Sequence, residues 1–131
     1  MELEYIKSVE DSRGIILFYK YADLFINFVE TKKGFSRGGH YHKFKSEHIL
    51  LRGKIEFKEL NLDTNKEQIR ILSAPHIISV EPNIAHILTA LEDSLFLECF
   101  DTEYSDTEYS AIDYMPYRNI VDEKIKQRQN N

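Results

Sequence analysis

Short apolar runs broken by turn residues follow one another along most of this chain, and their succession constrains the fold more than any other feature. Such runs predict β-strands, and turn formers such as Asp63 and Asn65 separate them. About nine strands are predicted, over Gly14–Tyr19, Leu24–Glu30, His40–Phe44, Glu47–Leu51, Lys54–Leu60, Gln68–Leu72, His76–Glu81, Ala85–Leu91 and Ser94–Phe100. Regular spacing without long helical patterns between the runs is typical of a sandwich or barrel, so the predicted fold class is all-β.

The remainder of the chain predicts a connector and one short helix. Residues 101–105 (DTEYS) recur identically as 106–110, which we interpret as a polar connector. Beyond Pro116, a weak apolar stripe predicts a helix over Tyr117–Gln129. A length of 131 residues suits a single domain, with the barrel core over about residues 14–100 and the connector and helical tail over residues 101–131.

Composition argues against several classes of partner. The net charge is −5 and no basic stripe occurs, so nucleic acid is not expected to bind. No run approaches the roughly 20 apolar residues of a membrane-spanning helix, and the charged start of the chain does not resemble a signal peptide. Cys99, the one cysteine, lies in an apolar run and is interpreted as a small buried side chain. We therefore expect a cytoplasmic protein.

Three histidines and one glutamate form the candidate site. Residues two apart in a strand face the same way, so His40 and His42 share a face. Glu47 opens the next predicted strand, and we expect its carboxylate to face the same pocket while His48 faces outward. Far along the chain, His86 shares a phase with Leu88, which suits a barrel interior, so His86 is also expected to face inward.

This set of side chains suits a metal ion. Three neutral imidazoles with one carboxylate bind divalent transition metals, so His40, His42, Glu47 and His86 are the predicted ligands of an ion whose identity the sequence does not select. Arg37 precedes the histidine pair. It is either a plain surface charge or a clamp for a substrate phosphate or carboxylate, because the guanidinium fork suits both anions.

The spacing of these residues resembles the first cupin motif, which is Gly, five residues, H-x-H, three or four residues, Glu, six residues and Gly. Gly34, His40, His42, Glu47 and Gly53 fill it, with the last gap one residue short. Pro82 and His86 resemble the second motif, although its usual Gly is absent and Ala90 stands where Asn is common. The resemblance implies a double-stranded β-helix, the cupin or jelly-roll barrel.

A closer resemblance is to small cupins that isomerise keto-sugar nucleotides, the dTDP-4-keto-6-deoxyhexose 3,4-ketoisomerases and their relatives in surface-polysaccharide biosynthesis. The stretch RGGHYHK over Arg37–Lys43 is similar to theirs, as are Pro82–His86 and the tail around Asp113–Arg118. Those enzymes more often carry Gln where Glu47 stands, and they are read as metal-free, with a histidine of the pair moving protons. Glu47 restores the four-ligand cupin set.

The resemblance implies a keto-sugar nucleotide as the small-molecule substrate and proton transfer next to its carbonyl. His40 or His42 is the catalytic base if no metal binds; with metal bound, both are ligands and the base is another group. Two further hypotheses are a metal-dependent cupin oxygenase and a non-catalytic metal- or sugar-binding cupin. An outer sheet face is predicted to form a homodimer, through Tyr41, Leu50, Ile87 and Phe96.

Overall fold

Antiparallel strands dominate the computed structural model, which describes residues 2–101 and 111–129. The described residues form eleven strands and one helix: β1 (Leu3–Asp11), β2 (Gly14–Tyr21), β3 (Leu24–Thr31), β4 (Ser36–Tyr41), β5 (Ser46–Arg52), β6 (Lys54–Asn61), β7 (Lys66–Ser73), β8 (His76–Val80), β9 (Ile84–Ala90), β10 (Ser94–Asp101), β11 (Ile112–Asp113) and α1 (Met115–Gln129). No helix in this part of the chain is long and apolar enough to cross a membrane.

The strands form two sheets that face each other. One has six strands in the order β1-β2-β3-β10-β5-β8, and the other has five in the order β11-β4-β9-β6-β7. Their inner faces pack around an apolar core that includes Val29, Leu50, Phe57, Leu88 and Phe96. The predicted all-β fold with a C-terminal helix is confirmed, as is the double-stranded β-helix arrangement.

Helix α1 covers the outer face of the five-stranded sheet. Its Tyr117 and Val121 pack on Leu60, Ala85 and Ile87 to form a second apolar core. Strand β9 is therefore buried on both faces, which explains why its apolar residues do not alternate with polar ones.

Three strands differ from the sequence prediction, and one of them is the two-residue β11, which lies between the last predicted strand and the predicted helix. The sequence does not predict β1, because its segment LEYIKSVED contains no apolar run. All nine residues of this strand are exposed. Strand β4 begins at Ser36 and not at His40, because pairing with β9 draws a polar, glycine-containing segment into the sheet. The DTEYS repeat lies outside the described residues, apart from Asp101 at the end of β10.

The predicted phase of β5 is wrong by one residue. The prediction turned Glu47, Ile49 and Leu51 inward, whereas Leu50 is fully buried (0 % exposed) and Leu51 is 44 % exposed. Apolar residues occupy both faces of β5, so hydrophobic alternation alone does not select one. The pairing of β5 with β10 and β8 makes the selection, because it sets Leu50 beside the buried Phe96.

The predicted dimer face is also wrong. Leu50 and Phe96 point into the barrel and belong to its core, while Ile87 is covered by α1 and Tyr41 packs against the same second core. These side chains are apolar because other parts of the chain cover them.

Candidate metal centre

Two glycines allow His40 to approach His86, which lies far along the sequence. Gly38 and Gly39 have positive φ angles of 95° and 80°, at an irregularity in the pairing of β4 with β9. A Cβ on Gly38 would lie 2.8 Å from the carbonyl oxygen of His86, and one on Gly39 would lie 2.7 Å from the Cα of Arg118 in α1. Glycine is therefore needed here, since a side chain would collide with neighbouring backbone. The bulge leaves His40 directly opposite His86.

Three imidazole rings meet inside the barrel. The ring of His40 lies 4.8 Å, centroid to centroid, from the rings of both His42 and His86, and His42 lies 5.6 Å from His86. One nitrogen from each ring falls within 4.8 Å of the other two. His86 therefore points inward, as the phase of β9 predicts.

Hydrogen bonding leaves ring nitrogens free for a ligand. His86 Nδ1 lies 3.0 Å from the carbonyl oxygen of Ile84, which only accepts hydrogen bonds. His86 Nδ1 therefore carries the proton, and its Nε2 presents a lone pair. His42 Nδ1 is buried and has no hydrogen-bond partner among the residues that the structure describes. Burying a polar atom without a partner costs free energy, and a ligand bound to His42 Nδ1 would remove that cost.

The electrostatics keep these rings uncharged. Burial, with mutual repulsion among the histidines, lowers the pKa of His40 to about 2 and that of His42 to about 3. Burial also lowers the pKa of His86 to about 4. All three imidazoles are consequently neutral near pH 7, which is the form that binds a metal ion.

These three residues fit a divalent transition ion. Nitrogens that share a tetrahedral zinc ion lie about 3.4 Å apart, given Zn–N bonds of about 2.1 Å. The nitrogens of His40, His42 and His86 already lie within 4.8 Å, so modest side-chain rotations bring them to that spacing. Imidazole ligands suit zinc, copper, iron and nickel alike, so the donor set does not select the metal.

Glu47 does not join the histidines, and the prediction that it faces the pocket is wrong. Its exposed carboxylate accepts a hydrogen bond from the hydroxyl of Ser79 and lies 3.6 Å from the ammonium of Lys45. These contacts lower the pKa of the Glu47 carboxyl. The physical reason is the phase of β5, which turns Glu47 outward and the next residue, His48, inward.

Polar residues that the sequence analysis did not select face the histidines. His48 lies with its ring 6.1 Å from that of His86, and Glu98 Oε2 lies 3.8 Å from His48 Nδ1. Asn27 donates from its Nδ2 to Glu98 Oε1 at 3.0 Å. The sequence does contain a sign that these two residues face inward. Asn27 and Glu98 interrupt the apolar runs LFINFV and LFLECF at positions that share a strand phase with buried residues.

Arg37 is neither a surface charge nor a free clamp. It is buried, and its Nε and Nη2 donate to the carbonyl oxygen of Glu30 at 3.2 and 2.6 Å, while Nε also lies 3.1 Å from the hydroxyl of Thr31. Burial lowers the pKa of Arg37 to about 10, so it still carries its charge at neutral pH. Arg37 thus places a positive charge in the wall of the barrel, with two of its three nitrogens held by the chain itself.

Two cavities share the site. An inner cavity of about 200 Å³ is lined mainly by core residues together with Arg37 and His86. A wider cavity of about 560 Å³ opens beside it and includes His42. His40, His48 and Glu98 line both cavities, so these three side chains lie where the cavities meet.

Zinc affinity is expected to depend on the histidines and not on Glu47. His42→Ala is expected to weaken zinc binding by more than about 100-fold, because loss of a direct ligand should exceed the 10–100-fold effect of losing an outer partner. Glu47→Gln is expected to leave the affinity within about twofold of the unsubstituted chain, as its carboxylate lies on the outer face. Calorimetric zinc titration of the two variants, with circular dichroism to check folding, makes the comparison. A large loss in Glu47→Gln would contradict the site described here.

Comparison with known proteins identifies the fold. No protein-family model matches the sequence, and no curated protein has significant sequence similarity to it. Among solved structures, CapF, a capsular polysaccharide assembling protein from Staphylococcus aureus, is 15% identical and has a TM-score of 0.68, over 86% of this chain and 34% of CapF. A variant of oxalate decarboxylase from Bacillus subtilis is 18% identical with a TM-score of 0.70, over 82% of this chain and 30% of that protein.

A third solved structure likewise combines a similar fold with low sequence identity. Oxalate decarboxylase from Lactobacillus farciminis, in a formate complex, is 20% identical with a TM-score of 0.66, over 72% of this chain and 30% of that protein. The chain thus spans about a third of the length of the structures it matches. At these identities the similarity establishes architecture and not activity. The chain has the cupin fold, with a cluster of three histidines that can hold a metal ion.

Proposed function

We propose that this chain is an isomerase or epimerase of a keto-sugar nucleotide, used in surface-polysaccharide biosynthesis and working by proton transfer next to a carbonyl. One observation carries the proposal. A cluster of neutral imidazoles, on the five-stranded sheet and the segment that follows β4, faces two further titratable groups, His48 and Glu98, on the other sheet. A reaction that moves a ketone along a sugar ring needs both a group that polarises the carbonyl and a group that moves a proton.

The imidazole cluster supplies the first requirement. A divalent ion held by His40, His42 and His86 would act as a Lewis acid toward a carbonyl oxygen. With these three residues occupied as ligands, proton transfer falls to another residue of the pocket. His48 and Glu98 line both cavities and lie outside the group of close metal-ligating atoms, so they are available for that role.

The wider cavity suits a sugar. Its volume of about 560 Å³ lies within the usual range for small-molecule sites. Four phenylalanines line it, namely Phe18, Phe25, Phe44 and Phe100, and their flat apolar surfaces can pack on the C–H faces of a pyranose ring. The ammonium of Lys7 also lines the cavity, beside Phe18, where it can attract a phosphate of the nucleotide portion.

The fold comparison is compatible with this assignment at the level of analogy. CapF is described as a capsular polysaccharide assembling protein, which agrees with the pathway that the sequence resemblance implies. Oxalate decarboxylase shares the fold equally well, so the chemistry must be argued from the site.

Turnover in heavy water tests the proposed reaction. The zinc-loaded chain, incubated with dTDP-4-keto-6-deoxyglucose in D₂O, is expected to move the ketone to the neighbouring carbon, with deuterium at the carbon that receives the proton when that proton exchanges with solvent. Proton NMR follows both changes. Failure to isomerise or epimerise this and related keto-sugar nucleotides would contradict the proposal. Oxygen consumption by the iron-loaded chain would instead identify an oxygenase, and binding without turnover a sugar-binding protein.

We further propose that the chain forms a homodimer, built on a different face from the predicted one. Five apolar side chains lie in register across the outer face of the six-stranded sheet: Leu17, Phe28, Leu97, Ile49 and Ile77. Tyr5, Tyr19 and Phe28 add a run of edge-to-face aromatic contacts on this side. No helix of the described residues covers this row, in contrast to the other sheet. An uncharged apolar row suits a second copy related by a twofold axis.

Two matched isoleucines test the dimer. Ile77 (68 % exposed) ends the apolar row, whereas Ile71 (54 % exposed) lies on the other sheet. Ile77→Glu is expected to convert the dimer to monomers and Ile71→Glu to leave it intact, because a charge buried in an interface is costly. Sedimentation velocity at micromolar concentration measures the mass. A monomeric unsubstituted chain, or dissociation by Ile71→Glu alone, would contradict this face.

A further inference from the structure

A row of polar side chains crosses three neighbouring strands of the six-stranded sheet. Glu98 on β10 is the register partner of Asn27 on β3 and of His48 on β5. All three face the barrel interior, since Asn27 is buried and both Glu98 and His48 line the cavities. Directly beside it lies a wholly apolar row, in which Phe96 is the partner of Val29 and Leu50. The polar row therefore lies directly beside the apolar core of the same sheet.

Hydrogen bonds fix the carboxyl group within this row. Asn27 Nδ2 donates to Oε1 of Glu98 at 3.0 Å, and Oε2 lies 3.8 Å from His48 Nδ1. His48 is itself held through its Nε2, which lies 3.2 Å from the hydroxyl of Ser46. One oxygen of Glu98 is thus anchored, while the other lies beyond hydrogen-bond distance of the His48 imidazole. About 30 % of the Glu98 side chain stays exposed, so a ligand can reach it.

The row faces the imidazole cluster across the space where the cavities meet. His48 and His86, on opposite sheets, have ring centroids 6.1 Å apart. His40 and Glu98, also on opposite sheets, line both cavities. A sugar ring whose carbonyl oxygen lies against the cluster therefore brings its neighbouring carbons toward the Glu98 row.

Burial also prepares the carboxyl for proton exchange. It raises the pKa of Glu98 from its ordinary value, against the opposing effects of the Asn27 hydrogen bond and the charge of Arg37. A higher pKa makes a carboxylate a stronger base and brings its protonated form closer to neutral pH.

We propose that Glu98 is the residue that carries the proton between the two carbons, with Asn27 and His48 as its positioning residues. This inference rests on the proposed function. Glu98 takes the hydrogen from the hydroxyl-bearing carbon beside the ketone as a proton, and the C–H electron pair forms a carbon–carbon double bond while the ketone oxygen takes the negative charge. The hydroxyl proton moves to that oxygen. Glu98 then returns its proton to the former ketone carbon as the other oxygen becomes the new ketone, so no oxidant or reductant is required.

Glu98→Gln in the zinc-loaded chain tests this role, with Glu47→Gln as the matched control on a neighbouring strand. With dTDP-4-keto-6-deoxyglucose in D₂O, Glu98→Gln is expected to slow isomerisation by more than about 100-fold, the usual scale of general base catalysis. Its zinc content should match that of the unsubstituted chain, because Glu98 lies outside the histidine cluster. Glu47→Gln should keep the full rate, since its carboxylate is on the outer face.

The outcomes distinguish this inference from the proposed function. If the unsubstituted chain isomerises the sugar and Glu98→Gln does so within a few-fold of the same rate, Glu98 is not the proton carrier although the function stands. If the unsubstituted chain isomerises no keto-sugar nucleotide, the function falls and this role falls with it. Should Glu98→Gln fail to fold, Glu98→Asp replaces it. That variant keeps a carboxyl one methylene shorter, and a slowed but measurable isomerisation with unchanged zinc content supports the role, whereas an unchanged rate overturns it.

Discussion

Strand β10 pairs with β3 on one side and β5 on the other, and much of the molecule depends on that pairing. Because side chains alternate along a strand, consecutive residues of β10 serve opposite faces of the sheet. Leu97 joins the apolar row outside, whereas Glu98 joins the polar row inside and Phe96 the core beneath it. A shift of one residue in this register would place Glu98 on the outer face and Leu97 in the cavity. Register thus determines the core, the outer surface and the site together.

The polar row of Asn27, Glu98 and His48 faces the three imidazoles of the cluster. His40, His42 and His86 are kept uncharged by burial, so they can serve as metal ligands near neutral pH without first losing protons. Burial disfavours the charged form of every group, so it lowers the pKa of the histidines and raises the pKa of the Glu98 carboxyl. The same low-dielectric interior therefore prepares the imidazoles to bind an ion and Glu98 to exchange a proton.

Sequence patterns predict part of this arrangement for clear physical reasons. His40 and His42 form an H-x-H pair, and His86 precedes a buried Leu88 in phase, so their common direction follows from strand geometry. The phase of strand β5 cannot be predicted in this way, because Leu50 and Leu51 are equally apolar. Pairing with the neighbouring strands decides which of the two is buried. The glutamate that matches a motif by spacing, Glu47, therefore lies outside the barrel.

Other parts of the site depend on contacts between distant segments. The burial of Arg37 follows from the carbonyl oxygen of Glu30 and the hydroxyl of Thr31, which lie on the facing sheet. Strand β1 has no apolar run of its own and forms through pairing with β2. Glu98 was visible as a charge within the run LFLECF, but its role depends on facing His40 and His86 across the cavity, which only the packing of the two sheets provides.

Three imidazoles, from the five-stranded sheet and the segment that follows β4, are expected to converge on one ion, with the Glu98 row opposite. Anomalous diffraction from a crystal of the zinc-loaded chain, collected at the zinc absorption edge, tests it most directly. We expect one anomalous peak, bonded to nitrogens of His40, His42 and His86 at about 2.1 Å, with Glu98 facing the ion without binding it. A peak held by Glu47, or one that none of these three histidines contacts, would contradict it.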